Sequence, residues 1–352
     1  MNENLILWKN QLKQKLSGKL PVSFAVILGL FLTIKLFNFA FSGNEMDDPQ
    51  FQKMFNDHYK IFSLNLPSNA SFATEKVPLE ILDVRERLDR ELLVNTYWQS
   101  NTLLFHKRAN RYFPVIEPIL KRYGVPDDFK YLAVIESGLD NVTSPAGAVG
   151  FWQLMKGSAM EHGLEINEKI DERYNLKKST EAACKYLKDA YATFGSWTMA
   201  AASYNVGKNG LFKQLQRQKV NNYYDLLLNA ETARYIYRIV AVKEILNNSS
   251  RYGYIYRKSD LYPPISTKSI PVDSTIEDLA VFAKAQGINY KILKLVNPWL
   301  RDAQLPNKNK KTYYLEIPTG ELPDLRPLDQ TEFTGPAPSP TSAPISDTTT
   351  TE

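Results

Sequence analysis

Residues 131–155 read YLAVIESGLDNVTSPAGAVGFWQLM, and within them one carboxylate, Glu136, ends the apolar run Leu132-Ala133-Val134-Ile135. Glycines, small residues and then Gln153 follow it. A glutamate pressed against apolar surroundings has its charged form disfavoured, so its pKa rises. Such an acid still holds a proton near neutral pH and can give it to a leaving group. The competing reading is a helix whose last turn reaches solvent, where a Glu needs no chemical role. Glycoside cleavage usually pairs the acid with a second carboxylate. Asp140 is the nearby acid in sequence, but Gly138 and Asn141 make it a turn or cap residue, which leaves one good acid without a convincing partner. No Ser-His-Asp or Cys-His constellation is supported, and no Gly-rich phosphate loop of the usual spacing is present. His58, His106 and His162 lie far apart, so neither a metal site nor a cofactor is expected, and the lone Cys184 has no internal disulfide partner.

The elements that must position these groups are helical. From about Leu79 to Ser250, apolar residues recur at three and four spacing with short Gly, Pro and Asn breaks. In STEAACKYLKDAYATFG, Ala183, Tyr186, Leu187, Ala190, Tyr191 and Phe194 share one face. Ser179 or Thr180 is placed to cap the start, and Gly195 to end the helix. Ser196 opens a second helix, WTMAAASYN, whose alanines permit close packing. Beyond Tyr262-Pro263-Pro264 the pattern changes. SIPV reads as a strand, and Ser274-Thr275-Ile276-Glu277 as the capping box of a helix to about Gln286. Ile288 to Val296 reads as a second helix and TYYLEI as a last strand. The fold class expected is therefore mainly α, followed by a small β-α-α-β module.

The chain has 352 residues, 43% hydrophobic and 23% charged, with a net charge of +5. That composition argues against wholesale disorder. The basic residues are spread among nearly as many acids, so no nucleic-acid partner is expected. Lys9, Lys13, Lys15 and Lys19 precede PVSFAVILGLFLTI, and LFNFAF extends the apolar character to Phe41. This is the pattern of an export signal, and Leu20–Phe41 is also long enough to span a bilayer if Lys35 snorkels. Residues 1–42 are read as an export signal or inner-membrane anchor, with retention favoured and cleavage near Ala40-Phe41-Ser42 left open. Residues 43–78 read as a polar spacer, 79–258 as the helical domain, 265–320 as the small module and 324–352 as a disordered Pro/Ser/Thr-rich tail.

Four motifs in order carry a resemblance. ESGLDNVTSPAGAVGFWQLM is similar to the signature of the soluble-lytic-transglycosylase fold shared with goose-type lysozyme. AAASYNVG resembles that family's Ala-Tyr-Asn-x-Gly element, with Ser203 where alanine is usual, and ETARYIYRIVAVK resembles its closing Glu-Thr-x-x-Tyr helix. DERYNLKKSTEAACKYLKDAYATFGSW matches the connecting pattern. RYFPVIEPILKRYGVPDDFKYLAVIES resembles the lead-in of the membrane-bound D-type members. The resemblance implies a lysozyme-like α-helical domain that cleaves peptidoglycan glycan strands. Glu136 would be the catalytic acid and base, and Ser137 would hydrogen-bond substrate or the glutamate. Gly150 would let the loop backbone approach closely, and Gln153 would bind sugar. Tyr204 and Asn205 would line the cleft, and Tyr235 would orient Glu136. For Tyr204 and Tyr235 a core role with a satisfied hydroxyl is the alternative, and for Gln153 a helix cap. Trp152 is read as core, Asp171 and Arg173 as a structural ion pair, and Glu231 as a helix-start residue. The last module resembles a LysM domain, with Val272-Asp273-Ser274-Thr275 where a Gly-Asp-Thr turn is usual and with Leu295 and Asn297 fitting the end of the second helix.

The resemblance implies intramolecular transglycosylation at the bond between N-acetylmuramic acid and N-acetylglucosamine, leaving 1,6-anhydro ends, in the exported space of the cell envelope. Two rivals stand beside it. A hydrolase of the same fold would need a water-holding carboxylate, for which Asp140 is the candidate. A catalytically inactive wall-binding scaffold would work through the LysM-like module and the tail.

Overall fold

The computed structural model describes residues 47–58 and 62–319. The N-terminal segment read as an export signal or anchor and the Pro/Ser/Thr-rich tail lie outside the described residues. The chain divides into two compact units, Met1–Phe62 and Ser63–Glu352. Of the first, the described part is one helix, α1 (Asp48–His58), whose first turn is capped where Gln50 N donates to Asp47 Oδ1 at 2.9 Å. No helix among the described residues is long and apolar enough to cross a membrane.

The second unit is mainly α, as the periodicity predicts. Its order is a short hairpin of β1 (Ser71–Phe72) and β2 (Glu75–Lys76), then α2 (Leu82–Tyr97), α3 (Gln99–Tyr123), α4 (Lys130–Ser137), α5 (Lys156–Glu161), α6 (Leu176–Phe194), α7 (Trp197–Val206), α8 (Lys208–Gln218) and α9 (Ala230–Asn247). The small module follows as β3 (Thr267–Val272), α10 (Leu279–Ala285), α11 (Tyr290–Val296) and β4 (Tyr313–Pro318). β3 and β4 pair antiparallel from Thr267↔Pro318 to Val272↔Tyr313.

Local chemistry explains many of the boundaries. α6 stops at Gly195, whose φ of 67° is the left-handed conformation that glycine adopts at little cost. Ser196 then caps α7, its hydroxyl accepting from Met199 N. The start of α6 differs from expectation. Asn175 caps it, accepting from Lys178 N, and both Ser179 and Thr180 lie inside the helix with their hydroxyls donating to Leu176 O. An equally good cap four residues upstream wins because Leu176 can then pack against the core. Tyr191 also departs from the buried face: it is exposed and stacks on Trp197 at 4.1 Å. In the module, Asp278 rather than Ser274 caps α10, accepting from Ala280 N and Val281 N. The 273–276 stretch instead bridges to the segment before β4, Ile276 pairing with Leu305.

The stretch read as a spacer is not featureless. It contains α1 and the β1–β2 hairpin, and Phe72 is fully buried against Phe129, ring centroids 5.0 Å apart. Glu75 accepts from Ser196 Oγ, Trp197 N and Thr198 N, so it satisfies orphan amides at the start of α7. These contacts join positions more than a hundred residues apart, which no local pattern reveals.

Two apolar cores result. The larger includes Leu88, Leu92, Ile116, Leu120, Leu132, Trp152, Leu187 and Ile236. The smaller belongs to the module and includes Val272, Leu279, Leu293, Trp299, Leu300, Leu315 and Ile317. Ile170, from the helical domain, is buried in that second core.

Candidate active site

Glu136 occupies the last turn of α4. The preceding residues Tyr131–Ile135 are buried, and Gly138 ends the helix at φ 65° with its N–H donating to Val134 O at 2.8 Å. The helix therefore delivers Glu136, half-buried, to the edge of the core with one carboxyl oxygen against α9. There the Tyr235 hydroxyl donates to Glu136 Oε1. Arg238, one turn further along α9, donates from Nη2 to Ile135 O at 2.9 Å and brings its charge near the same carboxyl.

The electrostatics have competing causes. Burial disfavours the carboxylate and dominates, raising the pKa from 4.5 to about 7. The Tyr235 hydrogen bond and the Arg238 charge pull it down, while the Glu231 charge pushes it up. Burial and the adjacent Glu136 charge hold Tyr235 well above the ordinary phenol range, so it stays a neutral donor. Burial likewise keeps Tyr204 protonated, with Glu136 adding to the effect.

Tyr235 and Tyr204 lie beside this carboxyl, and the other sequence-identified residues are held by contacts of their own. Tyr204 in α7 donates from its hydroxyl to Trp152 O at 2.7 Å, tying α7 to the loop between α4 and α5. Asn205 bridges to α9: its Nδ2 donates to Glu231 Oε1 at 3.2 Å, and its Oδ1 accepts from Thr232 Oγ1 at 2.8 Å. Gln153 sits at φ 46°, a left-handed conformation uncommon for a residue with a side chain. Its Nε2 donates to Gly150 O at 2.8 Å and Val142 O at 3.0 Å, so it spans its own loop and caps no helix. Ser137 is engaged with backbone and makes no bond to Glu136, its hydroxyl lying 2.9 Å from Phe151 O and 3.1 Å from Ala133 O. Gly150 does permit a close backbone approach, and the group that approaches is the protein's own Arg173 carbonyl, which a Cβ would overlap.

Trp152 is core, fully buried with Nε1 donating to Thr180 Oγ1 at 2.8 Å. Asp171 and Arg173 form a buried ion pair at 2.7 Å. Asp140 is held by Arg108 at 2.8 Å, and Arg108 also donates to Gly138 O. The carboxylate whose charge bears on Glu136 is Glu231, not Asp140. Sequence reading missed Arg238, whose only signal is its place one helical turn after Tyr235.

A cavity of about 160 Å³ opens elsewhere, between the helical domain and the module. Arg111, Tyr112, Phe151, Tyr174, Trp299 and Glu316 help line it, while Glu136, Tyr204 and Tyr235 do not. It is not the site of the acid.

Two regions of the chain match families of known proteins. Residues 114–227 match the family model of the transglycosylase SLT domain, and residues 268–321 that of the soluble lytic transglycosylase C-terminal LysM-like domain. The membrane-bound lytic murein transglycosylases D of Escherichia coli strains K12 and O6:H1 (CFT073) are each 28% identical over 249 residues, covering 69% of this chain and 53% of theirs. The chain thus spans about half the length of the curated relatives it matches. Among solved structures, the 70 kDa soluble lytic transglycosylase of Escherichia coli aligns at 21% identity with a TM-score of 0.32, over 39% of this chain and 24% of that one. Residues 114–227 are a transglycosylase SLT domain and residues 268–321 a LysM-like domain of the soluble lytic transglycosylase C-terminal type, in a chain homologous to the Escherichia coli membrane-bound lytic murein transglycosylase D.

Proposed function

We propose that the protein is a lytic transglycosylase that cuts the bond between N-acetylmuramic acid and N-acetylglucosamine in peptidoglycan and leaves 1,6-anhydromuramic ends. The observation that carries this reading is Glu136 itself. Its pKa of about 7 lets it both give and take a proton near neutral pH, and Tyr235 holds it in place. Protonated Glu136 gives its proton to the glycosidic oxygen as the C1–O bond breaks. The acetamido oxygen of the muramic acid closes onto C1 in place of a protein nucleophile. Glu136, now a carboxylate, takes the proton from the 6-hydroxyl, and O6 displaces the acetamido oxygen at C1. Atoms balance without water, and the acid is regenerated.

The contacts support the further roles. Tyr235 holds the Oε1 lone pair, which leaves the other oxygen for the substrate. Gln153 has both amide protons engaged and therefore offers an acceptor oxygen. Tyr204 and Asn205 frame the opposite wall. The similarity to a membrane-bound relative and the N-terminal lysine-then-apolar pattern support export to the envelope with a membrane anchor. The hydrolytic alternative through Asp140 is weakened by its pairing with Arg108. Glu231, one residue past the start of α9, is the better-placed second carboxylate for that alternative.

Digestion of purified peptidoglycan, read by mass spectrometry, tests the reading. Fragments one water lighter than reducing ends are expected from the wild type. Glu136→Gln is expected to lower their release by about a thousandfold, within the range that general acid catalysis supplies. Reducing ends would instead make the protein a hydrolase.

A further inference from the structure

The LysM-like module is joined to the helical domain by more than the chain running between them. Residues 169–171 pair with residues 299–301 of the module through an isolated antiparallel bridge: Ile170 bridges Leu300, Arg301 N donates to Lys169 O at 2.8 Å, and Asp171 N donates to Trp299 O at 3.0 Å. The Ile170 side chain is 1% exposed and lies within the module's core. Charged and aromatic contacts flank this segment. Lys169 pairs with Asp302, and Lys311 meets Glu165 at 2.6 Å. Lys177 meets Glu316 at 2.6 Å, and the Arg301 guanidinium lies 4.1 Å over the Tyr174 ring.

Two residues further on, Arg173, in the single 3-10 turn Glu172–Tyr174, grips the loop that carries Gln153. Arg173 is buried, and its guanidinium is fixed by both oxygens of Asp171, from Nε at 3.0 Å and Nη2 at 2.7 Å. The remaining Nη1 donates to Gly147 O at 3.0 Å and Leu154 O at 3.2 Å, on either side of Gly150–Gln153. The Arg173 carbonyl fills the space that Gly150 leaves vacant. Tyr174 adds a hydroxyl contact to Thr143 Oγ1 at 2.9 Å. The loop itself has little regular structure, two isolated bridges at Val149 and a strained Gln153, so its shape depends on what surrounds it.

We infer that the LysM-like module is a brace for the active-site loop, transmitting its docking through Ile170 to Arg173, and that Arg173 is a positioning residue for Gln153. A tethering module raises local substrate concentration and acts on KM. A brace sets the geometry of a group facing the reacting sugar and acts on kcat, where small displacements are costly. The inference rests on the catalytic reading above for its kinetic part, and on the loop alone for its structural part.

The test uses the full chain in three variants. Ile170→Ala empties part of the module's core, Ile170→Val nearly conserves it, and Arg173→Lys keeps the charge while losing the fork and leaves that core untouched. Kinetics are measured on uncrosslinked glycan strands, and hydrogen exchange across the whole chain. Ile170→Ala and Arg173→Lys are expected to lower kcat by roughly tenfold to a hundredfold with KM changed less than about threefold. Amides 147–154 should exchange faster in both, α9 should be unchanged, and Ile170→Val should behave as wild type. A raised KM with kcat and loop exchange unchanged would overturn the inference and make the module a tether. If the wild type releases no anhydro fragments, the catalytic reading fails, and loop exchange alone decides the brace. Unfolding of Ile170→Ala would show as fast exchange throughout, and Arg173→Lys then decides.

Discussion

At Glu136 burial outweighs the opposing influences and leaves the carboxyl with a pKa of about 7. Burial alone would hold it protonated, and the Tyr235 hydroxyl and Arg238 charge bring it back to about 7. Removing the Tyr235 hydroxyl removes a downward influence, so in Tyr235→Phe the pKa of Glu136 moves above 7. The alkaline fall of kcat/KM, where the acid loses its proton, is expected to move to higher pH by about half a unit to one unit. Turnover at pH 7 is expected to fall about tenfold, because the carboxyl loses its anchor. A pH–rate profile from pH 5 to 9 checks both, and an unmoved alkaline limb would show that Tyr235 does not bear on the acid. At this scale the sequence was informative about type and uninformative about environment. An apolar run ending in Glu is visible in one dimension. That Tyr235 lies beside it, 99 residues later, and that Asp140 pairs with Arg108, are consequences of packing.

Among the elements, helix ends were the most legible features where the chemistry is local. Gly195 and Ser196 act within one turn of themselves, so their residue types announce their roles. Where two candidates compete, longer-range contacts decide: Asn175 caps α6 with Leu176 against the core, and Asp278 caps α10 while the stretch before it bridges to Leu305. The loop between α4 and α5 shows the other extreme. Gly150 stands at φ 81°, and the Arg173 carbonyl occupies the space a side chain would take. Gly150→Ala therefore meets backbone strain and a backbone clash together. It is expected to destabilise the protein by about 2 to 4 kcal/mol, more than the roughly 1 kcal/mol of an unobstructed left-handed glycine such as Gly195. Urea midpoints of the two alanine variants compare them directly. Equal losses would mean that the clash relaxes freely.

The whole molecule pays for its acid in stability, and the sign can be worked through. The native Glu136 pKa of about 7 exceeds the ordinary 4.5, so below pH 4.5 the group is protonated in both states and costs nothing. Between 4.5 and 7 the unfolded chain releases its proton first, and native stability falls by at most about 3 kcal/mol. Glu136→Gln should therefore gain stability relative to wild type across that window and hold the difference above pH 7. Thermal unfolding at pH 4 and pH 8 measures it, and a constant difference would place the carboxyl in a more solvated setting. By itself the sequence determined the mainly α class, the β-α-α-β module, the apolar run that ends on Glu136, and the set of residues that resemble a known signature. All of these rest on residue type and short-range periodicity, which survive in one dimension. Tertiary structure alone decided the rest. Glu75 reaches α7, Glu231 rather than Asp140 acts on Glu136, and Ile170 leaves its own domain for the core of another. Those outcomes depend on which distant surfaces exclude water together, and burial of that kind has no local pattern to read.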